Sequence, residues 1–320
     1  MTTAFLFPGQ GSQAVGMGKT LAEAFPVAKA VFDEVDAALS QKLSTLMWEG
    51  PLDELTLTAN AQPALMAVSL AVVRVLESEA GLDMKRDAAF VAGHSLGEYS
   101  ALAAAGAFSI TDAARLLRIR GNAMQKAVPA GEGAMAALLG VELDLARAIA
   151  ADSAQGQVCE AANDNGGGQV VLSGAKAAID RAIVLAGERG VRRAMLLPVS
   201  APFHCALMQP AAEAMQAALA QVAMQAPIVP VMANVGAAPL SDPDAIRASL
   251  VAQVTGTVRW RECVEAMAAA GVTRFVEAGS GKVLAGLVKR IAAGAAPISV
   301  GTADDITSYK TLAGHKTLDS

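Results

Sequence analysis

The sequence predicts an α/β protein: a mostly parallel sheet covered by helices on both faces, interrupted by a small inserted unit. Three observations carry this. Apolar runs of strand length alternate with helix-length segments along most of the chain, as in sheets whose strands are joined by helical crossovers. A Gly-x-Ser-x-Gly turn, Gly93-His94-Ser95-Leu96-Gly97, joins the apolar run Ala88 to Ala92 to an Ala-rich segment with the composition of a buried helix. From Ala134 to Pro198 the rhythm changes to β-α-β-β-α-β, a split βαβ unit behind the linker Pro129-Ala130-Gly131-Glu132-Gly133. The expected division is residues 1–128 with 199–302 as one discontinuous catalytic unit, 129–198 as the insertion, and 303–320 as a polar, poorly ordered tail.

In chain order, Ala4 to Phe7 is a short buried strand ending at Pro8, and the loop Gly9-Gln10-Gly11-Ser12-Gln13 follows. That loop formally fits a dinucleotide fingerprint, but the reading requires a helix and then a second strand. Instead Leu21 to Leu39 reads as helix and Trp48-Glu49-Gly50-Pro51 as loop. Gly18-Lys19-Thr20 resembles the end of a phosphate-binding loop, yet the glycine needed five residues earlier is Gln13. Asn60-Ala61-Gln62-Pro63 leads into a helix from Ala64 to Glu79, with Pro63 suited to a first turn. Thr111-Asp112 caps a helix from Ala113 to Lys126 that carries Arg115, Arg118 and Arg120. A solvated face suits Arg115 and Arg118, whereas Leu116 and Leu117 put Arg120 on an apolar side.

Within the insertion, strands are expected at Ala134 to Val141, Val158 to Ala162, Gln169 to Ser173 and Val191 to Pro198. Helices fall at Asp144 to Ser153 and Ala175 to Arg189. The larger unit resumes with Ser200-Ala201-Pro202-Phe203-His204, a helix from Ala206 to Met224 and a strand from Ile228 to Asn234. Helices Pro243 to Val254 and Glu262 to Ala270 come next, then a strand from Thr273 to Glu277. A helix to Ile291 and a strand from Ile298 to Val300 complete the pattern.

The Gly-x-Ser-x-Gly pattern is that of a nucleophile elbow, which presents a serine hydroxyl at a helix N-terminus where N–H groups can stabilise an oxyanion. The bland alternative is a serine that merely caps the helix. Of three histidines, His94 lies inside the elbow and His315 in the tail, which leaves His204 free to act as general base. A structural histidine at a turn is the competing reading. No acidic third member stands out, and a backbone carbonyl could take its place.

Composition bounds the partners. The chain has 320 residues, 53% of them hydrophobic and 17% charged, so a large core is expected. A net charge of −5 argues against general affinity for nucleic acid or anionic membrane. Three scattered cysteines, an odd count, suit a reducing compartment. The N-terminus lacks a basic region and has only a four-residue apolar run before Pro8, which is no signal peptide. The most apolar helical stretch, Ala64 to Leu76, is interrupted by Arg74 and is shorter than a bilayer requires. A cytoplasmic monomer is the expectation.

With the elbow, Phe-Pro-Gly-Gln-Gly-Ser-Gln, Arg120 and Ser-Ala-Pro-Phe-His on one chain, the sequence resembles the malonyl-CoA:acyl carrier protein transacylases of fatty-acid synthesis from residue 4 to about residue 300. The resemblance implies a hydrolase-like α/β core with a ferredoxin-like insertion. It implies Ser95 as the nucleophile that takes malonyl as an ester, His204 as its base, and Gln253 as the residue whose main-chain carbonyl orients that base. It implies Gln10 and the N–H of Leu96 as the oxyanion hole, and Arg120 as the partner of the malonate carboxylate. Phe203 would line the space beside the malonyl methylene, or pack plainly in the core. Malonyl-CoA and acyl carrier protein are the implied substrates, with no metal or cofactor. A serine hydrolase or thioesterase would share the elbow but has no need of a buried Arg120, since a neutral ester offers no carboxylate for it. A polyketide loading acyltransferase and a malonate decarboxylase transacylase subunit share these motifs. A non-catalytic scaffold would be expected to have lost Ser95 or His204, and both are present.

Overall fold

The computed structural model describes residues 2–314. Among the described residues ten strands form two sheets: β1 Thr2–Phe7, β2 Phe90–Gly93, β3 Gly133–Leu139, β4 Cys159–Asp164, β5 Gln169–Ala175, β6 Arg193–Leu196, β7 Val231–Ala233, β8 Ala238–Leu240, β9 Val272–Ala278 and β10 Ala296–Val300. The larger sheet has the order β10-β9-β1-β2-β7-β8 and is parallel except for the β7–β8 hairpin at one edge. The smaller has the order β4-β5-β3-β6 and is antiparallel throughout.

The central strand β1 shows why the sheet must be covered twice. Phe5 and Phe7 join one buried cluster with Val91, Val231 and Val276, while Ala4 and Leu6 join another with Met232, Phe275 and Trp260. An unbroken apolar run thus sends alternate side chains to opposite helical layers. The small sheet divides in the same way: Ala136, Leu138 and Leu172 pack under its own helices, whereas Met135, Ala137 and Val171 join the main core.

Helix boundaries depart from the sequence reading where tertiary contacts or prolines intervene. The helix expected over Leu21 to Leu39 is two, Lys19–Ala24 and Pro26–Leu39, because Phe25 before Pro26 is extended. Trp48 and Glu49 are not loop but the end of a helix, Leu43–Glu49. The helix expected from Ala64 begins at Thr58 and runs 23 residues to Ala80, with Pro63 inside it. Thr58 and Gln62, both buried, make side-chain bonds that hold the added turn. That length and composition would suffice to cross a membrane, contrary to the sequence estimate, but 89% of its most apolar window is buried within the protein. Ser109, rather than Thr111 or Asp112, caps the Ile110–Ala127 helix by accepting from the N–H of Asp112.

The segment expected to be a disordered tail is in large part a helix, Ala303–Gly314. Its polar composition hides two apolar anchors, Ile306 and Tyr309, which pack on the main core, while Lys310 pairs with Glu79 at 3.2 Å. His315 lies outside the described residues.

The elbow itself is set by close approach. A Cβ at Gly93 would lie 1.8 Å from the carbonyl of Gly97, and one at Gly97 would lie 2.2 Å from the carbonyl oxygen of Phe7. Neither glycine needs an unusual φ; each leaves room for backbone against backbone. Gly97→Ala is therefore expected to cost about 3 kcal/mol, an overpacking penalty with no flexible side chain to yield. Urea unfolding followed at Trp48 and Trp260 measures it, and an unchanged midpoint would mean that the turn opens freely.

Candidate active site

Ser95 stands between β2 and the Gly97–Ala104 helix with φ of 54°. An L-residue there costs about 1–2 kcal/mol, so the surroundings must impose it. Its N–H donates to Asn234 Oδ1 at 2.8 Å and its carbonyl accepts from Gln253 Nε2 at 3.0 Å. Asn234, just beyond β7, also donates from Nδ2 to the carbonyl of Gly93 at 2.8 Å. Gln253 comes from the Pro243–Thr255 helix.

His204 meets the serine: its Nε2 is 2.7 Å from Ser95 Oγ, and its Nδ1 is 2.8 Å from the main-chain oxygen of Gln253. A carbonyl only accepts, so Nδ1 carries the proton and Nε2 presents its lone pair to the hydroxyl. His204 also has a left-handed backbone, φ 58°, and is 3% exposed. Burial, assisted by the nearby charge of Arg120, pushes its pKa down to about 3, and the bond to Gln253 only partly opposes this.

Arg120 is 1% exposed. It donates to Gln62 Oε1 at 2.8 Å, to Gln253 Oε1 at 2.9 Å and, more loosely, to Ser95 Oγ at 3.2 Å, and it lies 5.8 Å from the Tyr99 ring centroid. Among the described residues no carboxylate makes a salt bridge with it, and its buried Nε has no hydrogen-bond partner. Its position depends on Gly121, where a Cβ would come 2.6 Å from Ala59 Cα and push the two helices apart.

Gln10 reaches the same network indirectly. Its Oε1 accepts from Thr58 Oγ1 at 2.9 Å, and Thr58 Oγ1 accepts from Gln62 Nε2 at 2.8 Å. The N–H of Leu96 lies at the start of the Gly97–Ala104 helix, and among the described residues no backbone carbonyl takes it up. Phe203, one residue before His204, is buried in the main core. His94 is engaged elsewhere, with its Nε2 2.9 Å from Asn165 Oδ1 in the small sheet's β4–β5 turn.

Of the residues singled out in the sequence, Ser95, His204, Gln253 and Arg120 are thus in direct contact, with Gln10 linked through Thr58 and Gln62. Arg118 departs from expectation: it is half-buried and donates to Asn60 and Gln41 instead of facing solvent. Gln62, Glu98 and Asn234 escaped the sequence reading. Asn234 is a lone polar residue at the end of an apolar run, a signal that could have marked it as buried and partnered, whereas Gln62 follows Asn60 and Glu98 precedes Tyr99-Ser100, so neither stands out locally.

A serine on a strained strand-to-helix turn, with an imidazole on its hydroxyl and a largely parallel sheet behind it, defines the α/β proteins that handle acyl groups through a serine ester. Within that class the chain belongs to the acyl transferase domain family, whose pattern matches residues 4–309. It is 46% identical over 281 residues to a malonyl CoA-acyl carrier protein transacylase of Bacillus subtilis (strain 168), covering 88% of this chain and 87% of the relative. A solved acyl-carrier-protein-S-malonyltransferase from Bartonella henselae superposes with TM-score 0.96 at 58% identity, covering 98% of this chain and 100% of that one. A malonyl-transacylase solved in complex with a type II polyketide acyl-carrier protein superposes with TM-score 0.94 at 40% identity, over 98% of this chain and 100% of that one.

The depressed pKa of His204 has a direction in stability. The unfolded chain binds a proton near pH 6.5 that the fold refuses until about 3, so this residue's contribution is full above pH 6.5 and is lost as pH falls toward 3. NMR titration of the ring protons is expected to find His204 neutral from pH 8 to about 5. A midpoint near 6.5 would contradict the buried, proton-poor site.

Proposed function

We propose that this chain moves a malonyl group from malonyl-CoA to the phosphopantetheine thiol of acyl carrier protein, through a malonyl ester on Ser95, in fatty-acid synthesis. His204 Nε2 takes the hydroxyl proton as Ser95 Oγ attacks the thioester carbonyl, and the Gln253 carbonyl holds the ring in the required tautomer. The N–H of Leu96, with Gln10 opposite, faces the oxyanion, where a fixed donor is commonly worth about 3 kcal/mol. Collapse expels the CoA thiolate, which His204 protonates. The carrier's thiol then gives its proton to His204, attacks the ester carbonyl, and leaves with malonyl as Ser95 Oγ regains a proton.

The observation that carries the dicarboxylic substrate is Arg120. A guanidinium fully withdrawn from water, 3.2 Å from the nucleophile and, among the described residues, in no salt bridge, has only the Coulomb pull of Glu98 and Tyr99 to offset its burial and is costly until an anion makes direct contact. The free carboxylate of a malonyl group on Ser95 supplies that anion. A neutral acyl group does not, which disfavours the simple esterase reading.

Intact mass after mixing with malonyl-CoA tests the ester: one added malonyl on the Ser95 peptide is expected, and a labelled Ser95→Ala variant would sink the assignment. In competition between malonyl-CoA and acetyl-CoA, Arg120→Ala is expected to lose malonyl transfer by about 3–5 kcal/mol, on the order of a hundredfold to a few thousandfold, while acetyl suffers less. An unmoved ratio would make Arg120 purely structural.

Docking of an acidic carrier on an acidic enzyme requires a local basic patch. Arg192-Arg193, Lys126 and Lys289-Arg290 are all exposed. The pair Lys289-Arg290 is tied to the segment around Ser95, because Arg290 lies against Gly167 in the turn whose Asn165 holds His94. Reversing both charges at Lys289 and Arg290 is expected to slow transfer to the carrier about tenfold at low salt while leaving acylation by malonyl-CoA unchanged. Transfer that ignores both salt and the reversal would remove this docking surface.

A further inference from the structure

Glu98 is a buried carboxylic acid that the chemistry above leaves without a task. It is 1% exposed, in the first turn of the Gly97–Ala104 helix. One of its oxygens, Oε2, accepts from the N–H of Asn234 at 3.0 Å and from Gln253 Nε2 at 2.9 Å, while Oε1 is buried with no hydrogen-bond partner among the described residues. Those two donors belong to the two residues that grip Ser95, Asn234 at its N–H and Gln253 at its carbonyl. Gln253 is also the residue whose main chain holds His204.

We infer that Glu98 is a positioning residue: its Oε2 ties Asn234 and Gln253 to the elbow, and so keeps the strained Ser95 and the ring of His204 in mutual register. The inference rests on the reading of Ser95 as nucleophile and His204 as base. Gln253 Nε2 has two hydrogens and three acceptors in reach: Glu98 Oε2 at 2.9 Å, Ser95 O at 3.0 Å and, longest, Asn234 Oδ1 at 3.4 Å. Without Glu98 Oε2 a buried N–H keeps only the long contact to Asn234 Oδ1, and the amide gains by turning towards it and away from the serine carbonyl. Asn234 would likewise lose the bond that fixes its backbone beside β2.

What the site needs at this position is an acceptor at the right reach, and the charge is secondary. Burial pushes the Glu98 pKa up to about 7, against the opposing pull of its Asn234 and Gln253 bonds and of Arg120. The groups that face it are Arg120 from the Ile110–Ala127 helix, Tyr99 from its own helix and Cys263 from the Trp260–Ala269 helix. An oxygen that accepts in both the acid and the carboxylate form keeps its grip through that titration.

Three variants separate these terms: Glu98→Gln keeps the acceptor without charge, Glu98→Asp keeps the charge but withdraws the acceptor, and Glu98→Met keeps the volume alone. Rapid-mix acylation of Ser95 by malonyl-CoA gives the limiting rate and the half-saturating concentration. Glu98→Gln is expected within about threefold of the parent from pH 6 to 9. Glu98→Asp and Glu98→Met are expected to lose the limiting rate by about a hundredfold, the scale of a misplaced reacting group, with half-saturation little changed. A Gln variant as slow as the Met variant would overturn the inference, as would Asp or Met variants as fast as the parent, or a loss confined to half-saturation. If Glu98→Met does not fold, the Asp and Gln pair decides alone. Failure of the parent enzyme to acylate Ser95 would instead count against the functional reading.

Discussion

The site depends on two side-chain amides that clasp the backbone of one strained serine. Asn234 takes its N–H and Gln253 donates to its carbonyl, so the left-handed turn at Ser95 is held at both ends by groups from different elements. Local sequence can permit such a turn by placing glycines beside it. Only tertiary hydrogen bonds can keep it at a serine, because the conformation costs about as much as a single bond returns.

The same bonds explain why the histidine comes into place. His204 too is left-handed, and it is reached by a segment that leaves the small sheet at β6 and crosses back toward the large one. Strand β4 of the small sheet is tied close by to the stretch that follows the Pro243–Thr255 helix: the N–H of Asp164 donates to the carbonyl of Val258, the N–H of Val258 donates to the carbonyl of Ala162, and Thr257 Oγ1 donates to the carbonyl of Ala161. Val258 is only five positions beyond Gln253. The tie to the small sheet and the orientation of the imidazole therefore sit on one short stretch of chain. The small sheet adds a second tie through Asn165 and His94, directly beside the serine.

How much of this was legible follows from the range of each interaction. The elbow was readable because Gly93, Ser95 and Gly97 lie within five residues and the steric demand is local. The two-sided sheet was readable because strand and helix periodicities are local as well. His204 emerged by elimination, and Arg120 from its apolar helical neighbours. Gln253 had no local mark, since its role belongs to a main-chain carbonyl, and only the family resemblance pointed to it. Glu98 and Asn234 are 136 positions apart and Gln62 and Arg120 are 58 apart, so no window joins those pairs. The closing helix was missed for the opposite reason: its polar residues are conspicuous, while the two that anchor it, Ile306 and Tyr309, are sparse.

Gln253 concentrates four of these bonds in one residue: its carbonyl on His204, its amide nitrogen on Ser95 and Glu98, and its amide oxygen on Arg120. Base, nucleophile and guanidinium thus share a single rigid partner, and disturbing any one of them shifts the reference geometry of the other two. Energies assigned to them one substitution at a time will not sum. Double-mutant cycles across this centre should return coupling terms of the same order as the single effects, the behaviour of a unit and not of independent parts.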